Sequence, residues 1–461
     1  MTPEDFRTHG AAMIDWVADY MERVDELPIM PAVEPGEIYA HLPDSAPEHA
    51  EPFAAILADL DRVVMPGIVH WQSPGWFAFF PANHSAPAIL GEIAAAGLAQ
   101  QGMNWATSPA CTEVEMRVLD WLVDLMGLPE GWKTTGAGGG VIQMSASDAT
   151  HVALVVARER ARARGASVDD QVVYTSEQAN SSVEKGARIA GFRHVRLVVT
   201  DEQHAMAAGA FDRAVAEDVA AGRVPAAVVT TIGTTATTAV DPIASIADLA
   251  RPRNMWHHVD AAYAGTAMLC EEFRHHQAGI DRVDSYVFNP HKWMFTNFDC
   301  SVFWVADRRP LIDTMSIVPP YLRNEASEAG AVIDYRDWHV PLGRRFRALK
   351  LWFVLRSYGI SGIRDRIREH VRLTHELAAR LAADPRFVVA APVLFSLVCF
   401  RHDDGDDATD ALAQALNAGR EVAVTATTVD GIRVIRVAVG QTYTEQRHVD
   451  RLWTLISDLA W

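Results

Sequence analysis

Cysteine is scarce in this 461-residue chain: Cys111, Cys270, Cys300 and Cys399 are too few and too scattered for a disulfide framework, and no Cys-x-x-Cys pair occurs. They are expected to be reduced packing thiols. Long apolar runs are also missing. None approaches the roughly 20 residues that span a bilayer, and Met1-Thr2-Pro3-Glu4-Asp5 lacks the positive start and apolar middle of an export signal. No membrane contact is expected, and the cytoplasm is the default compartment. Positive charge is short as well, with 41 Lys and Arg against 59 Asp and Glu and no polybasic run. This argues against partners bearing nucleic acid phosphates or anionic lipid and leaves a small molecule as the expected partner. Metal-ligand spacing is lacking: the doublets His257-His258 and His275-His276 should point apart, and no Asp or Glu sits at ligand distance in sequence. No metal is expected.

What is present is apolar bulk. At 49% hydrophobic residues the chain can bury a large core arranged in two or three lobes. Residues 1–85 open with a helical pattern, with Ile14, Trp16, Val17, Tyr20 and Met21 read on one face, and then turn rich in Pro, Glu and Ala. Such a stripe must cover something, either a second subunit or its own domain. From about 136 to 305, short β-branched runs alternate with helical stretches: Val141-Ile142, Gln171 to Tyr174, Val195 to Val199, Ala226 to Ile232, Trp256 to Val259 and Ser285 to Phe288. That alternation predicts an α/β fold with a mainly parallel sheet, residues 86–350 forming a large domain. Residues 351–461 read as a smaller α+β domain, with a helix over 362–383, strands at 397–400 and 432–439, a helix over 407–419 and a closing helix from Thr444. No internal repeat appears, and Asp403 to Asp407 reads as a solvated loop.

In open α/β sheets, ligands bind beyond the carboxyl ends of the strands. Thr234, Thr235, Asp260, Asn289 and Lys292 all fall just past such ends. A lysine in Asn289-Pro290-His291-Lys292-Trp293 and an aspartate in Val259-Asp260-Ala261-Ala262-Tyr263 are what a pyridoxal phosphate site requires. The lysine amine holds the cofactor as a Schiff base, and the carboxylate keeps the pyridine nitrogen protonated. Ala262 leaves room for one face of a flat ring. Gly138 to Asp148 runs from a glycine turn through a short strand into a helix, so that Ser145, Ala146 and Ser147 sit at a helix start suited to a phosphate; with Thr235 and Asn289 they form a candidate cup. The glycine spacing does not give Gly-x-Gly-x-x-Gly, which disfavours a dinucleotide.

His-Val-Asp-Ala-Ala-Tyr-Ala-Gly (258–265), Asn-Pro-His-Lys-Trp (289–293), Asn-Trp-Ala-Thr-Ser-Pro-Ala-Cys-Thr-Glu (104–113) and Pro-Leu-Gly-Arg-Arg-Phe-Arg (341–347) resemble the aromatic L-amino acid decarboxylases, group II of the pyridoxal phosphate decarboxylases. The similarity runs from about residue 5 to the C-terminus. It implies the aspartate aminotransferase-like fold type I and a homodimer with shared active sites, with residues 1–85 wrapping the partner. It also implies decarboxylation of tyrosine, phenylalanine, tryptophan or dopa. By position, the resemblance makes Lys292 the Schiff base lysine, Asp260 the ring-nitrogen partner, and Ala146, Ser147, Thr235 and Asn289 neighbours of the phosphate. His291 is placed near substrate and cofactor, and Tyr321 matches the proton-donating tyrosine. Trp71, Phe79, Phe80 and Pro81 match the substrate-pocket segment, while Gln101 and Met103 reach the partner's site. Gly343 resembles members with room for an indole, and the apolar lining favours an aromatic side chain over glutamate.

One position departs from the pattern. Where the family usually stacks a histidine on the cofactor ring, this chain has Asn180, whose amide cannot relay protons near neutral pH. General acid help is typically worth about 10² to 10⁴ in rate. Losing part of it prolongs the carbanion and exposes it to dioxygen, as in the related aromatic acetaldehyde synthases, which yield aldehyde, carbon dioxide, ammonia and hydrogen peroxide. Retention of Tyr321 points instead to the amine. Intact Lys292, Asp260 and cup residues argue against a cofactor-free binding protein.

Overall fold

The computed structural model describes residues 1–317 and 331–460. Its main sheet has seven strands: β1 (Gly139–Gln143), β2 (Gln171–Ser176), β3 (His194–Val198), β4 (Val224–Thr231), β5 (Trp256–Asp260), β6 (Ser285–Phe288) and β7 (Ser301–Val305). Their order is β1-β7-β6-β5-β4-β2-β3. The strands β3, β2, β4, β5 and β6 run parallel. The central ones are buried along nearly their whole length, as expected where helices cover both faces and residues such as Val172, Val173, Val228 and Val229 pack on each side. The helices Pro109–Met126 and Ala146–Ala163 pack against the sheet with apolar faces built from Val118, Leu122, Val152 and Val156.

Strand β7 was not among the runs recognised from sequence. It lies antiparallel between β1 and β6, because the stretch joining it to β6 holds only one short helix and no full crossover. Register then decides where chemistry can sit. Thr231 pairs with Asp260, and Asp260 with Val287, so β4, β5 and β6 end on one rim.

A second, antiparallel sheet has the order β10-β11-β9-β8, from β8 (Phe387–Val389), β9 (Leu397–His402), β10 (Thr425–Val429) and β11 (Ile432–Ala438). The helix read over 362–383 is longer, Arg347–Ala383, and is broken at Gly359, whose φ of 62° departs from helical geometry. Strands β8 and β10 were not anticipated: one has three residues, and the other, Thr-Ala-Thr-Thr-Val, is mostly polar and half-exposed.

The opening helix, Pro3–Arg23, is capped by Thr2, which accepts from Asp5 N and whose own amide donates to the Asp5 carboxylate. Its five marked apolar residues do not share one face. Trp16 donates to Asp61 and Tyr20 bonds His70, whereas Ile14, Val17 and Met21 line an apolar groove with Ile89, Leu90, Ile93 and Tyr443. The split follows from helix geometry, since two residues correspond to ~200° of rotation.

All four cysteines are free and buried. His275 and His276 do not diverge as expected; their rings lie 3.9 Å apart on a 3-10 turn. Among the described residues no cluster of metal ligands occurs, and no helix is long and apolar enough to cross a membrane.

Candidate active site at the strand ends

A cavity of about 200 Å³ opens where β4, β5 and β6 end, lined by residues that include Ser145, Ala146, Ser147, Asn180, Thr235, Asp260, Ala262, Asn289, His291 and Lys292. Asp260 is the last residue of β5, and its Oδ1 accepts the amide of Ala262 at 2.9 Å, which fixes the carboxylate. Lys292 sits on the short helix Pro290–Trp293, anchored by Asn83, whose Nδ2 donates to the Lys292 carbonyl at 2.8 Å. Burial pushes the Asp260 carboxyl up and the Lys292 amine down, and each opposite charge resists the other's shift. The Lys292 Nζ lies 5.2 Å from the centroid of Phe80, which stacks on Tyr263 at 3.9 Å.

The cup is built from two chain segments and a turn. Ser145 caps the helix Ala146–Ala163, accepting from Asp148 N at 3.2 Å, so that the following amides face the cavity end of an 18-residue helix. The turn after β4 brings Thr235, and the end of β6 brings Asn289. The Asn289 Oδ1, Thr231 Oγ1 and Ser176 Oγ are buried without a hydrogen-bond partner among the described residues. Gly233 makes the turn possible: its φ is 83°, and a Cβ there would sit 2.7 Å from that of Ala264.

His291 is buried and neutral, its imidazole pushed down to about 3 chiefly by burial. Its Nδ1 accepts the Cys300 amide at 2.9 Å, so the single ring proton resides on Nε2. Asn180 is tied at both ends: Oδ1 accepts from Ser182 N at 2.9 Å, and Nδ2 donates to Thr235 Oγ1 at 3.1 Å.

The remaining candidates are spread out. Trp71 and Phe79 stack at 5.6 Å beside Trp76, next to the cavity segment, and Phe79, about half exposed, has a positive φ of 54°. Pro81 packs against Gly440, where an added Cβ would meet its Cγ at 2.8 Å. Gln101, Met103 and Gly343 form a separate group. Gln101 Oε1 accepts from Arg344 N at 2.7 Å, a Cβ on Gly343 would lie 3.2 Å from Gln101 Nε2, and the Met103 carbonyl accepts from Arg336 N. None of these three lines the cavity of its own chain. Tyr321 lies outside the described residues. Sequence reasoning missed Ser182, Thr231, Gly233 and Tyr263 as lining residues. A glycine just past a strand end was the available signal for Gly233.

The donor set suits pyridoxal phosphate. It offers a buried amine for an aldehyde, a fixed carboxylate for a ring nitrogen, and for a phosphate the hydroxyls and amides of a helix start together with the unpartnered Thr231 Oγ1 and Asn289 Oδ1 at the ends of β4 and β6.

The conserved domain of pyridoxal-dependent decarboxylases matches residues 35–403. The chain is 42% identical to tryptophan decarboxylase 2 of Oryza sativa subsp. japonica, over 100% of its own length and 95% of the relative's. It is 41% identical to phenylacetaldehyde synthase of Arabidopsis thaliana, over 100% and 96% of the two. A crystal structure of Oryza sativa TDC with PLP and tryptamine superposes with a TM-score of 0.98 at 38% identity, covering 100% of this chain and 98% of that one.

Proposed function

As the chain belongs to the pyridoxal-dependent decarboxylases and has their fold type I architecture, we propose that it decarboxylates an aromatic L-amino acid, among tyrosine, phenylalanine, tryptophan and dopa, to the amine and carbon dioxide. The carrying observation is the buried pair Lys292 and Asp260 in one cavity with the phosphate-cup residues.

Pyridoxal phosphate, the cofactor of this family, supplies when bound an aldehyde for amines and a ring that accepts electrons. In this reading Lys292 provides the covalent anchor, and burial keeps its amine toward the neutral, nucleophilic form. Asp260, held by the Ala262 amide, would accept from a protonated ring nitrogen, and Lys292 and the Ala262 amide favour its ionised form against the effect of burial. Ser145, Ala146, Ser147, Thr235 and Asn289 bind the phosphate. His291 offers an Nε2 proton as a hydrogen-bond donor without carrying charge. Phe80, with Trp71, Phe79 and Pro81 on the same segment, gives the aromatic side chain an apolar surface. Tyr321 donates the proton that replaces the carboxylate.

A second reading rests on Asn180. Its amide is committed to Ser182 and Thr235 and has no proton to relay, which favours oxidative release of an aldehyde with ammonia and hydrogen peroxide. Incubation with the four amino acids in air, assayed for amine against aldehyde plus peroxide, decides between them. Amine without peroxide supports the first reading and eliminates the second.

The assembly belongs to the same proposal. The groove between Ile14, Val17 and Met21 on one side and Ile89, Leu90 and Ile93 on the other is apolar and open. A second copy seated there completes a homodimer, in which Gln101, Met103 and Gly343 serve the partner's site.

A further inference from the structure

Strand β11 carries a charge that the scheme above does not use. Arg436 is only 4% exposed, and its Nη2 is buried without a hydrogen-bond partner among the described residues. Burial lowers its pKa, opposed by Cys399 and Tyr263 rather than by a carboxylate, but a guanidinium stays protonated. Its Nε donates to the Ala236 carbonyl at 2.9 Å, one residue beyond Thr235. The Cys399 thiol on β9 already meets that carbonyl at 3.1 Å, so the tie between the two sheets is duplicated and gives no reason for a cation. Burying an unpaired guanidinium is costly, and such groups concentrate where their field does work.

Arg436 is aimed at the active site through one ring. Its Cζ lies 5.1 Å from the centroid of Phe80, and Lys292 Nζ lies 5.2 Å from the same centroid. Arg436 itself does not line the cavity, whereas Phe80 does. We propose that Arg436 is a positioning residue whose permanent charge, acting across Phe80, keeps the Lys292 amine unprotonated and ready to bond the cofactor. The inference rests on the cofactor reading above.

The groups around Lys292 leave few other sources of such a field. Asp260, on β5, pulls the other way and favours the protonated amine. His291, next in sequence, is neutral, and burial raises both the Tyr263 hydroxyl and the Cys399 thiol, which keeps them uncharged. Burial of the amine is the largest influence on it, Asp260 opposes that influence, and the Arg436 charge adds to burial. Two unit charges within ~10 Å in a protein interior shift a proton affinity by about one pH unit.

The test follows bond formation between lysine and cofactor, in which the amine nitrogen adds to the aldehyde carbon and water leaves. Full-length protein freed of cofactor is mixed with pyridoxal phosphate between pH 6 and 10. The growth rate of the near-visible band is recorded, and the adduct is located by borohydride reduction and mass spectrometry. The midpoint of the rate profile is expected to rise by about one pH unit in Arg436→Gln and Arg436→Met, which slows bonding about tenfold below both midpoints. Arg436→Lys, which keeps a cation, should stay near the wild-type midpoint. Thermal melting shows which variants are folded. An unchanged midpoint in a folded neutral variant overturns the inference, as does an equal rise in Arg436→Lys. Should neither neutral variant fold, Arg436→Ala, which leaves space for water, takes their place under the same two outcomes, and a raised midpoint in Arg436→Lys still removes the role. An adduct at a residue other than 292 instead overturns the cofactor reading itself.

Discussion

Asp260 and Lys292 were legible as a pair because each follows a strand-like run closely enough for its place on the rim to be read locally. Two substitutions probe the chemistry assigned around them. In Asp260→Asn the amide no longer holds a proton on the ring nitrogen, so turnover should drop by about 10² or more while the near-visible band persists, as absorption and steady-state rates will show. In Asn180→His, imidazole restores an acid near neutral pH. Where the wild type releases peroxide in air, Asn180→His should release less relative to amine, and an equal or greater yield would count against the role given to Asn180. Phe80 and Arg436 illustrate the limit at this scale. Phe80 was recognised only by its segment, and Arg436 sits in Ile432 to Val439, an ordinary strand pattern, with nothing nearby to mark it. Its meaning comes from Phe80, Ala236 and Cys399, which are remote in sequence.

Elements meet at glycines whose tightness no periodicity shows. Gly91, in the helix Ala86–Leu98, comes so close to the long helix Arg347–Ala383 that a Cβ would stand 2.6 Å from Lys350 Cα. Because that neighbour is backbone, Gly91→Ala should cost about 1–3 kcal/mol, seen as a lower urea midpoint. Gly233→Ala meets both a positive φ and Ala264, and should reduce stability and cofactor retention together, the latter measured by dialysis and absorption. At this scale the parallel strands and their helices could be read from apolar runs. Strands β7, β8 and β10 could not, since one returns without a crossover helix, one is short, and one is largely polar.

For the whole molecule, buried histidines set the response to acid. His257, His258, His291 and His339 are pushed down to about 3 and His370 to about 4, in each case chiefly by burial. In the unfolded chain they titrate near 6.5. Their contribution is therefore full above pH 6.5 and is lost as pH falls toward 3, at about 1.4 kcal/mol per pH unit for each group in that window. Asp241, raised to about 6 by burial, acts in the opposite sense: its contribution is present below its unfolded value and fades as pH rises toward 6. Burial likewise raises the Asp148, Asp260, Asp284 and Asp337 carboxyls, which oppose the histidines at the acid end of the range, so urea midpoints should drop chiefly between pH 7 and pH 6, where the histidines begin to titrate in the unfolded chain. The proposed dimer is tested at Leu90, which is 51% exposed in the groove. Leu90→Asp should convert a dimer to monomer in sedimentation, because a charge in an apolar contact remains desolvated. By itself the sequence determined the α/β class, the chemistry available at the strand ends and the family, because strand patterning and short motifs are local properties. Only the tertiary structure decided that Trp16 and Tyr20 turn away from the groove, that Gln101, Met103 and Gly343 stand apart from the cavity, and that Arg436 lies behind Phe80. Those relations depend on helix rotation and sheet register, which bring together side chains far apart along the chain.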